Sequence, residues 1–290
     1  MITAIDDGLE DRPEDRLEDP LDAATLHARL PSSAAGAYAA IEVVDAIDST
    51  NSELLRRTTP TTGIAALFAE RQSGGRGRMG RVWASPPGAN LYLSLARRFD
   101  GDLARLGGLS LAVGVAIAES LQALGATGTR VKWPNDLVVD DGAALRKLGG
   151  VLIEGGLQDG RARAVIGLGL NVRMPAAAAD TIDQPWTDLH TLLGDALPSR
   201  NAVAVAILAG LADALERFDC EGLSPFLPRF APLDALSGSD IAATVGGRLV
   251  EGIGCGLTED GALRLRSGNQ ETTLRAGEVR VRRRASALAS

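Results

Sequence analysis

Between two apolar runs of strand length, GIAALFAER and ANLYLSLAR, the chain carries QSGGRGRMGRVWASPPGAN, Gln72 to Asn90. Gly75 to Gly80 formally matches G-x-G-x-x-G, which in a doubly wound nucleotide-binding fold must open a helix. Here RVWASPP follows, and Pro86 with Pro87 bars that helix, because proline has no amide donor and clashes with the preceding turn. The stretch is therefore a strand-to-strand connection, and a dinucleotide-binding βαβ unit is excluded at this point. Its glycines let backbone approach a ligand closely, and Arg76, Arg78 and Arg81 offer planar donors suited to phosphate or carboxylate. A solvated basic loop is the other reading of the same residues.

The flanking pattern is mixed. LDAATLHARL fits one helix, IEVVDAI a strand, and DSTNSELLRR a helix opened by a Thr50–Glu53 capping box. Leu103 to Leu124 is apolar nearly all round, as in a buried helix, and is interrupted too often by glycine and charge for a membrane span. TRVKWPNDLVVD, KLGGVLIEGGL and ARAVIGLGLNV read as successive strands, and helices dominate from Asn201 to Phe230. After APLD, short strands recur in DIAATV, RLVEGIGCGL, GALRLRS, ETTLRA and EVRVR, the pattern of a small β-barrel. The fold class is α+β, a mixed sheet with helices, divided as an acidic, disordered N-terminal tail over 1–40, a main domain over 41–232 and a small β-barrel domain over 233–290.

The arginine loop stands out because the chain as a whole is acidic, with a net charge of −7 over 290 residues. That balance and the 3% aromatic content argue against a nucleic-acid binding module built on the loop and the barrel. Residues 1–20 hold eight acidic side chains and two arginines, the composition of a disordered tail. Two cysteines far from any CxxC and two histidines leave a zinc site or a Ser-His-Asp triad without support. The start of the chain lacks the basic-then-apolar order of a signal peptide, so the expected location is cytoplasmic.

Two further segments carry chemistry. VKWPNDL sets Lys132, Asn135 and Asp136 around a Trp133–Pro134 turn, which suits a phosphate-bearing ligand or, equally, an ordinary Asx turn. Lys147 opens KLGGVLIE; it is either a strand-end lysine with its head in water or a buried ammonium that needs an anionic partner.

Taken together, STN at 49–51, GRGRMGRVW at 75–83, KWPND at 132–136 and KLGGVLIE at 147–154 resemble biotin–protein ligase, in order and spacing. The resemblance runs from about Ile41 through GLGLNV to GALRLRSG. It implies a mixed α/β catalytic domain related to class II aminoacyl-tRNA synthetases, followed by an SH3-like barrel. It also implies activation of biotin by MgATP to biotinyl-5′-adenylate and transfer to a lysine of a biotin carboxyl carrier domain of a biotin-dependent carboxylase. By the same resemblance, Ser49, Thr50, Asn51, Gln72, Arg76, Gly77, Arg78, Lys147, Gly149 and Gly150 face biotin. Arg78, Arg81, Trp83, Lys132, Asn135 and Asn171 face ATP or the adenylate. Lys147, Arg78 and Lys132 carry the catalysis, Asp136 orients ligands or helps hold Mg²⁺, and Trp186 orders over the adenine or sits in a surface cluster. Met79 stands where many relatives are polar or basic.

Relatives that repress transcription carry a winged helix, for which the residues before IEVVDAI lack the pattern, so a ligase without DNA binding is expected. The resemblance is compatible with a homodimer and gives no role in a membrane. A lipoate or octanoate ligase of the same superfamily is the nearest rival, and the arginine loop with KWPND and KLGGVLIE favours biotin.

Overall fold

The computed structural model describes residues 19–175, 182–245, 247–275 and 280–283. Seven strands form one mixed sheet of order β1-β2-β3-β7-β6-β5-β4. They are β1 (Tyr38–Ile47), β2 (Ile64–Gln72), β3 (Leu91–Phe99), β4 (Thr129–Lys132), β5 (Asp136–Asp140), β6 (Leu145–Gln158) and β7 (Arg161–Leu170). Only β1 and β2 run parallel; every other neighbouring pair is antiparallel. The arginine stretch joins antiparallel β2 and β3, as its prolines require.

The two faces of this sheet are covered differently. Leu93, Leu95, Val151, Ile166 and Leu168 enter the main core beneath α4 (Leu109–Ala123), the helix that packs on α6 (Arg200–Glu221). Among the described residues the one helix on the opposite face is α3 (Thr50–Arg56), which packs through a small cluster of Leu54, Leu67, Ala96 and Val165. Strand alternation makes this possible: Leu67 and Ala66 point to opposite faces, and so do Ser94 and Leu95.

Leu103 to Leu124, expected as one helix, is divided. A short 3₁₀ turn at Leu103–Leu106 ends in Gly107, and α4 begins at Leu109 behind Gly108, whose φ of +81° only glycine adopts readily. Leu103–Ala123 has the length and composition to cross a membrane, yet most of it is buried inside this protein against the sheet and α6. The helix expected over 21–30 is α1 (Ala23–Arg29), capped by Asp22, whose carboxylate accepts from the Thr25 amide. A second short helix, α2 (Ser32–Ala35), follows. Leu21, Leu26 and Leu30 are buried in the main core. Residues 19–40, expected as the end of an acidic tail, are thus folded, and the 40/41 boundary falls within β1; residues 1–18 lie outside the described residues. Leucine spacing in LDAATLHARL outweighs the acidity before it.

After α5 (Leu189–Leu193), α6 and α7 (Leu227–Phe230), the chain forms a second, antiparallel sheet of order β11-β10-β9-β8-β12. Its strands are β8 (Asp240–Val245), β9 (Arg248–Leu257), β10 (Leu263–Ser267), β11 (Gln270–Leu274) and β12 (Arg280–Arg283). Ile241, Ala243, Leu263 and Leu265 share the main core, and the buried Trp133 indole donates to Gly261 O at 2.9 Å.

Candidate functional site

The sheet face that α3 leaves uncovered is floored by small residues. Across β3, β7 and β6, Ser94 pairs with Gly167 and Gly167 with Leu152, while Tyr92 pairs with Gly169 and Gly169 with Gly150. Above this row lies a cavity of about 710 Å³. Its walls are the N-terminal turn of α3, the arginine loop, the Lys132–Asp136 turn and the chain around Gln184 and Pro185.

At one end the walls are neutral and polar. Ser49, not Thr50, is the N-cap of α3: its side chain accepts from the Ser52 amide at 3.4 Å, and the expected Thr50–Glu53 capping box does not form, Glu53 pairing with Arg56 and Arg57 instead. The shift turns Thr50 and Asn51 inward. Gln72 Oε1 accepts from the Thr50 amide at 2.9 Å, and Ser94 Oγ lies 2.7 Å from Thr50 Oγ1 and 2.6 Å from Asn51 Oδ1. A Cβ on Gly167 would stand 2.4 Å from Asn51 Oδ1, so only glycine fits below it.

At the other end the walls are cationic. The loop is closed by its own ladder, Trp83 N to Gly75 O at 2.9 Å and Gly77 N to Arg81 O at 2.8 Å, with Met79 at φ 57° exposed on its tip. Arg78 reaches inward and donates to Asn135 Oδ1 at 3.0 Å, and Asn135 in turn donates to Val151 O at 2.7 Å. Burial pulls the Arg78 guanidinium below the ordinary arginine range, against the opposing pull of Asp136. The Trp83 ring lies on Gly169, where a Cβ would stand 2.3 Å from the indole, and its Nε1 is buried without a hydrogen-bond partner among the described residues.

Lys147 sits between these ends. Its Nζ is 2.7 Å from Asp136 Oδ1 and 5.4 Å from the Trp83 ring centroid. Regular alternation would have sent Lys147 into the core with Gly149 and Val151. A bulge prevents this: β5 pairs Leu137 with Gly149 and Val138 with Lys147, skipping Leu148, which turns the lysine to the cavity face beside Gly150. Of its two sequence readings, the ammonium with an anionic partner is the one observed.

The structure gathers Ser49, Thr50, Asn51, Gln72, Arg76, Gly77, Arg78, Arg81, Trp83, Lys132, Asn135, Asp136, Lys147 and Gly150 around the one cavity. Gly149 and Asn171 lie outside its lining. Gly149 is packed in the sheet, with Gly169 O 2.8 Å from where its Cβ would be, and the Asn171 amide donates to Lys147 O at 3.4 Å and Thr187 O at 3.0 Å. Asn171 thus clamps the strand segment that pairs Trp186 with Lys147. Trp186 is half-buried beside that lysine and does not line the cavity. Ser94, Gly167, Gly169, Gln184 and Glu154 were not selected by sequence; the first three and Glu154 reach the site by strand register, Gln184 comes from the loop before Trp186, and only the glycine alternation in GLGLNV hints at the floor. No group of three or more His, Cys, Asp or Glu able to hold a metal occurs among the described residues, and Asp136 is already engaged by Lys147.

Residues 43–171 match the model of the biotin/lipoate A/B protein ligase family. The chain is 40% identical over 263 residues to the bifunctional ligase/repressor BirA of Salmonella typhimurium, across 90% of this chain and 78% of that protein. It is 34% identical to the biotin–[acetyl-CoA-carboxylase] ligase of Mycobacterium tuberculosis, across 91% and 97%. Among solved structures it is similar to the biotin protein ligase from Aquifex aeolicus in complex with biotin and ATP, with a TM-score of 0.71 and 25% identity over 85% of this chain and 100% of that one.

Proposed function

Since the chain belongs to the biotin/lipoate A/B protein ligase family and is a ligase, we propose that it activates biotin with MgATP and transfers it to a lysine of a biotin carboxyl carrier domain. The carrying observation is the polarity of the cavity: a neutral hydrogen-bonding end, a cationic end, and Lys147 between them. Biotin has a matching division, an uncharged ureido ring and a carboxylate, and the carboxylate is what must meet the nucleotide.

In the first step a biotin carboxylate oxygen bonds to the α-phosphorus, the bond to the β-phosphate breaks, and pyrophosphate leaves. In the second, the acceptor amine bonds to the acyl carbon, AMP leaves, and the amine loses a proton. Neither step needs a protein nucleophile; both need fixed positive charge where negative charge collects. Lys147, Arg78 and Lys132 supply it, Arg81, Trp83 and Asn135 line the nucleotide end, and Ser49, Thr50, Asn51 and Gln72 the ureido end. Asn171 and Gly149 act from behind, through the backbone they hold. A magnesium ion carried on the nucleotide would supply charge neutralisation at the leaving pyrophosphate, and Asp136 orients Lys147.

On the same reading the five C-terminal strands form an SH3-like barrel, the catalytic domain ends near residue 232, the enzyme works in the cytoplasm, and any homodimer is secondary to catalysis. The acidic balance supports a ligase that does not repress transcription. A gel-shift titration with operator-like duplexes should then show no sequence-selective complex, and a specific band would end that part of the reading. The decisive assay is ATP–pyrophosphate exchange by the purified chain with biotin, with lipoate or with neither. Exchange with biotin alone is expected; exchange with lipoate alone, or with neither acid, rejects the assignment.

A further inference from the structure

Glu154 closes the KLGGVLIE motif, and neither step above uses it. Its Oε2 accepts from two donors, Asn51 Nδ2 at 3.0 Å and Arg76 Nη2 at 3.3 Å. Arg76 Nη2 also donates to Ser52 Oγ at 3.0 Å, so the first arginine of the loop is tied to β6 and to α3 together.

The contact with Asn51 has a directional effect. An ionised carboxylate can only accept, so Asn51 must present its NH₂ to Glu154 and its carbonyl to Ser94. Ser94 has a single hydroxyl proton, and giving it to Asn51 Oδ1 leaves its oxygen as an acceptor toward Thr50 Oγ1, whose one proton is shared between Ser94 Oγ at 2.7 Å and Gln72 Oε1 at 3.2 Å. Further along, the Thr50 amide donates to Gln72 Oε1, Gln72 Nε2 to Ser85 Oγ at 3.2 Å, and Ser85 Oγ to Trp83 O at 3.1 Å. One chain of hydrogen bonds therefore begins at Arg76, crosses the buried wall of the cavity, and ends at Trp83, so both ends of the arginine loop terminate in it. Asn51 is wedged over Gly167, and reversing its amide would set Oδ1 against the Glu154 carboxylate.

We propose that Glu154 is a positioning residue that fixes the donor and acceptor order of the ureido-facing wall and holds the arginine loop down on it; this rests on the biotin reading for the ligand and on the contacts alone for the loop. An Arg76–Glu154 pair this exposed contributes little by itself. The weight falls on the Asn51 contact, where a neutral amide would allow either orientation.

The test is Glu154→Gln in the full chain, with Tm measured alongside. In the ligand-free protein, trypsin cleavage within residues 76–81 is expected to quicken roughly two- to fivefold at unchanged Tm, as a partly exposed ionic tie to the loop is lost. The biotin Kd should rise about tenfold, while KM for ATP stays at the parent value. Unchanged cleavage and unchanged biotin affinity would overturn the proposal, and so would biotin and ATP weakening together with a lowered Tm, the mark of a merely structural residue. Should Glu154→Gln fail to fold, Glu154→Asp keeps an acceptor for Asn51 and withdraws from Arg76. Faster loop cleavage with near-parent biotin affinity is then expected, and parent-like cleavage overturns the idea. If the parent gives no biotin-dependent exchange, the ligase reading fails by itself, and the trypsin comparison still decides the role of Glu154.

Discussion

Lys147→Ala is expected to leave the protein folded and to slow both adenylate formation and transfer by on the order of 10²–10³-fold, about 3–4 kcal/mol of lost transition-state stabilisation. The reason is positional. The ammonium is mostly withdrawn from water, tied to Asp136 at 2.7 Å and set over the Trp83 ring, so it meets developing charge without first reorganising. Alanine in its place also leaves Asp136 facing the incoming phosphates, an added repulsion. Single-turnover rates of each half-reaction, measured with biotin and with preformed adenylate, separate the two effects. A rate within threefold of the parent in both would remove Lys147 from the chemistry.

The second large effect concerns stability. Arg200 and Glu70 form an ion pair at 2.7 Å with side chains only 4% and 5% exposed. Around it, Glu70 Oε1 accepts from the Leu21 amide at 2.7 Å, and Arg200 donates to Asn90 O at 2.8 Å and Asp19 O at 2.9 Å. Truncating one partner leaves a buried charge with nothing opposite, so Arg200→Leu should cost about 3–5 kcal/mol. The double change Glu70→Leu with Arg200→Leu should cost less than the single one, because no charge is stranded. Guanidinium unfolding of the three proteins checks this; a single variant within about 1 kcal/mol of the parent would show that the site relaxes or admits water. The pair fastens the N-terminal segment to the strand before the arginine loop and to the residue that follows it, so its loss should also reach the loop.

Much of the fold could be read from the chain because its strands announce themselves by length and its loops by glycine and proline. GIAALFAER and ANLYLSLAR became β2 and β3, and Pro86–Pro87 excluded the helix between them. Less could be read where two elements combine. Ser49 rather than Thr50 caps α3, a choice the sequence leaves open because serine and threonine are both good N-caps and stand side by side. Gly107–Gly108 breaks what reads as one helical run. Ser94 and Glu154 were invisible because each looks like an ordinary member of an alternating strand; pairing between β3, β7 and β6 brings them to Asn51. Asn171 and Gly149 come from the same motifs yet lie outside the cavity lining, Asn171 with its side-chain amide on Lys147 O and Thr187 O.

The skipped residue Leu148 carries one more implication. Because a strand has only two faces, inserting or deleting a single residue between Asp136 and Gly150 exchanges every inward and outward position along it. Leu148 side by side with Lys147 satisfies two incompatible demands at once, a hydrocarbon for the interior and a cation for the opening. The placement of this cation in the cavity is thus written partly as a miscount in the hydrogen-bond ladder, and a substitution that straightened β6 would remove Lys147 from the cavity without changing its identity.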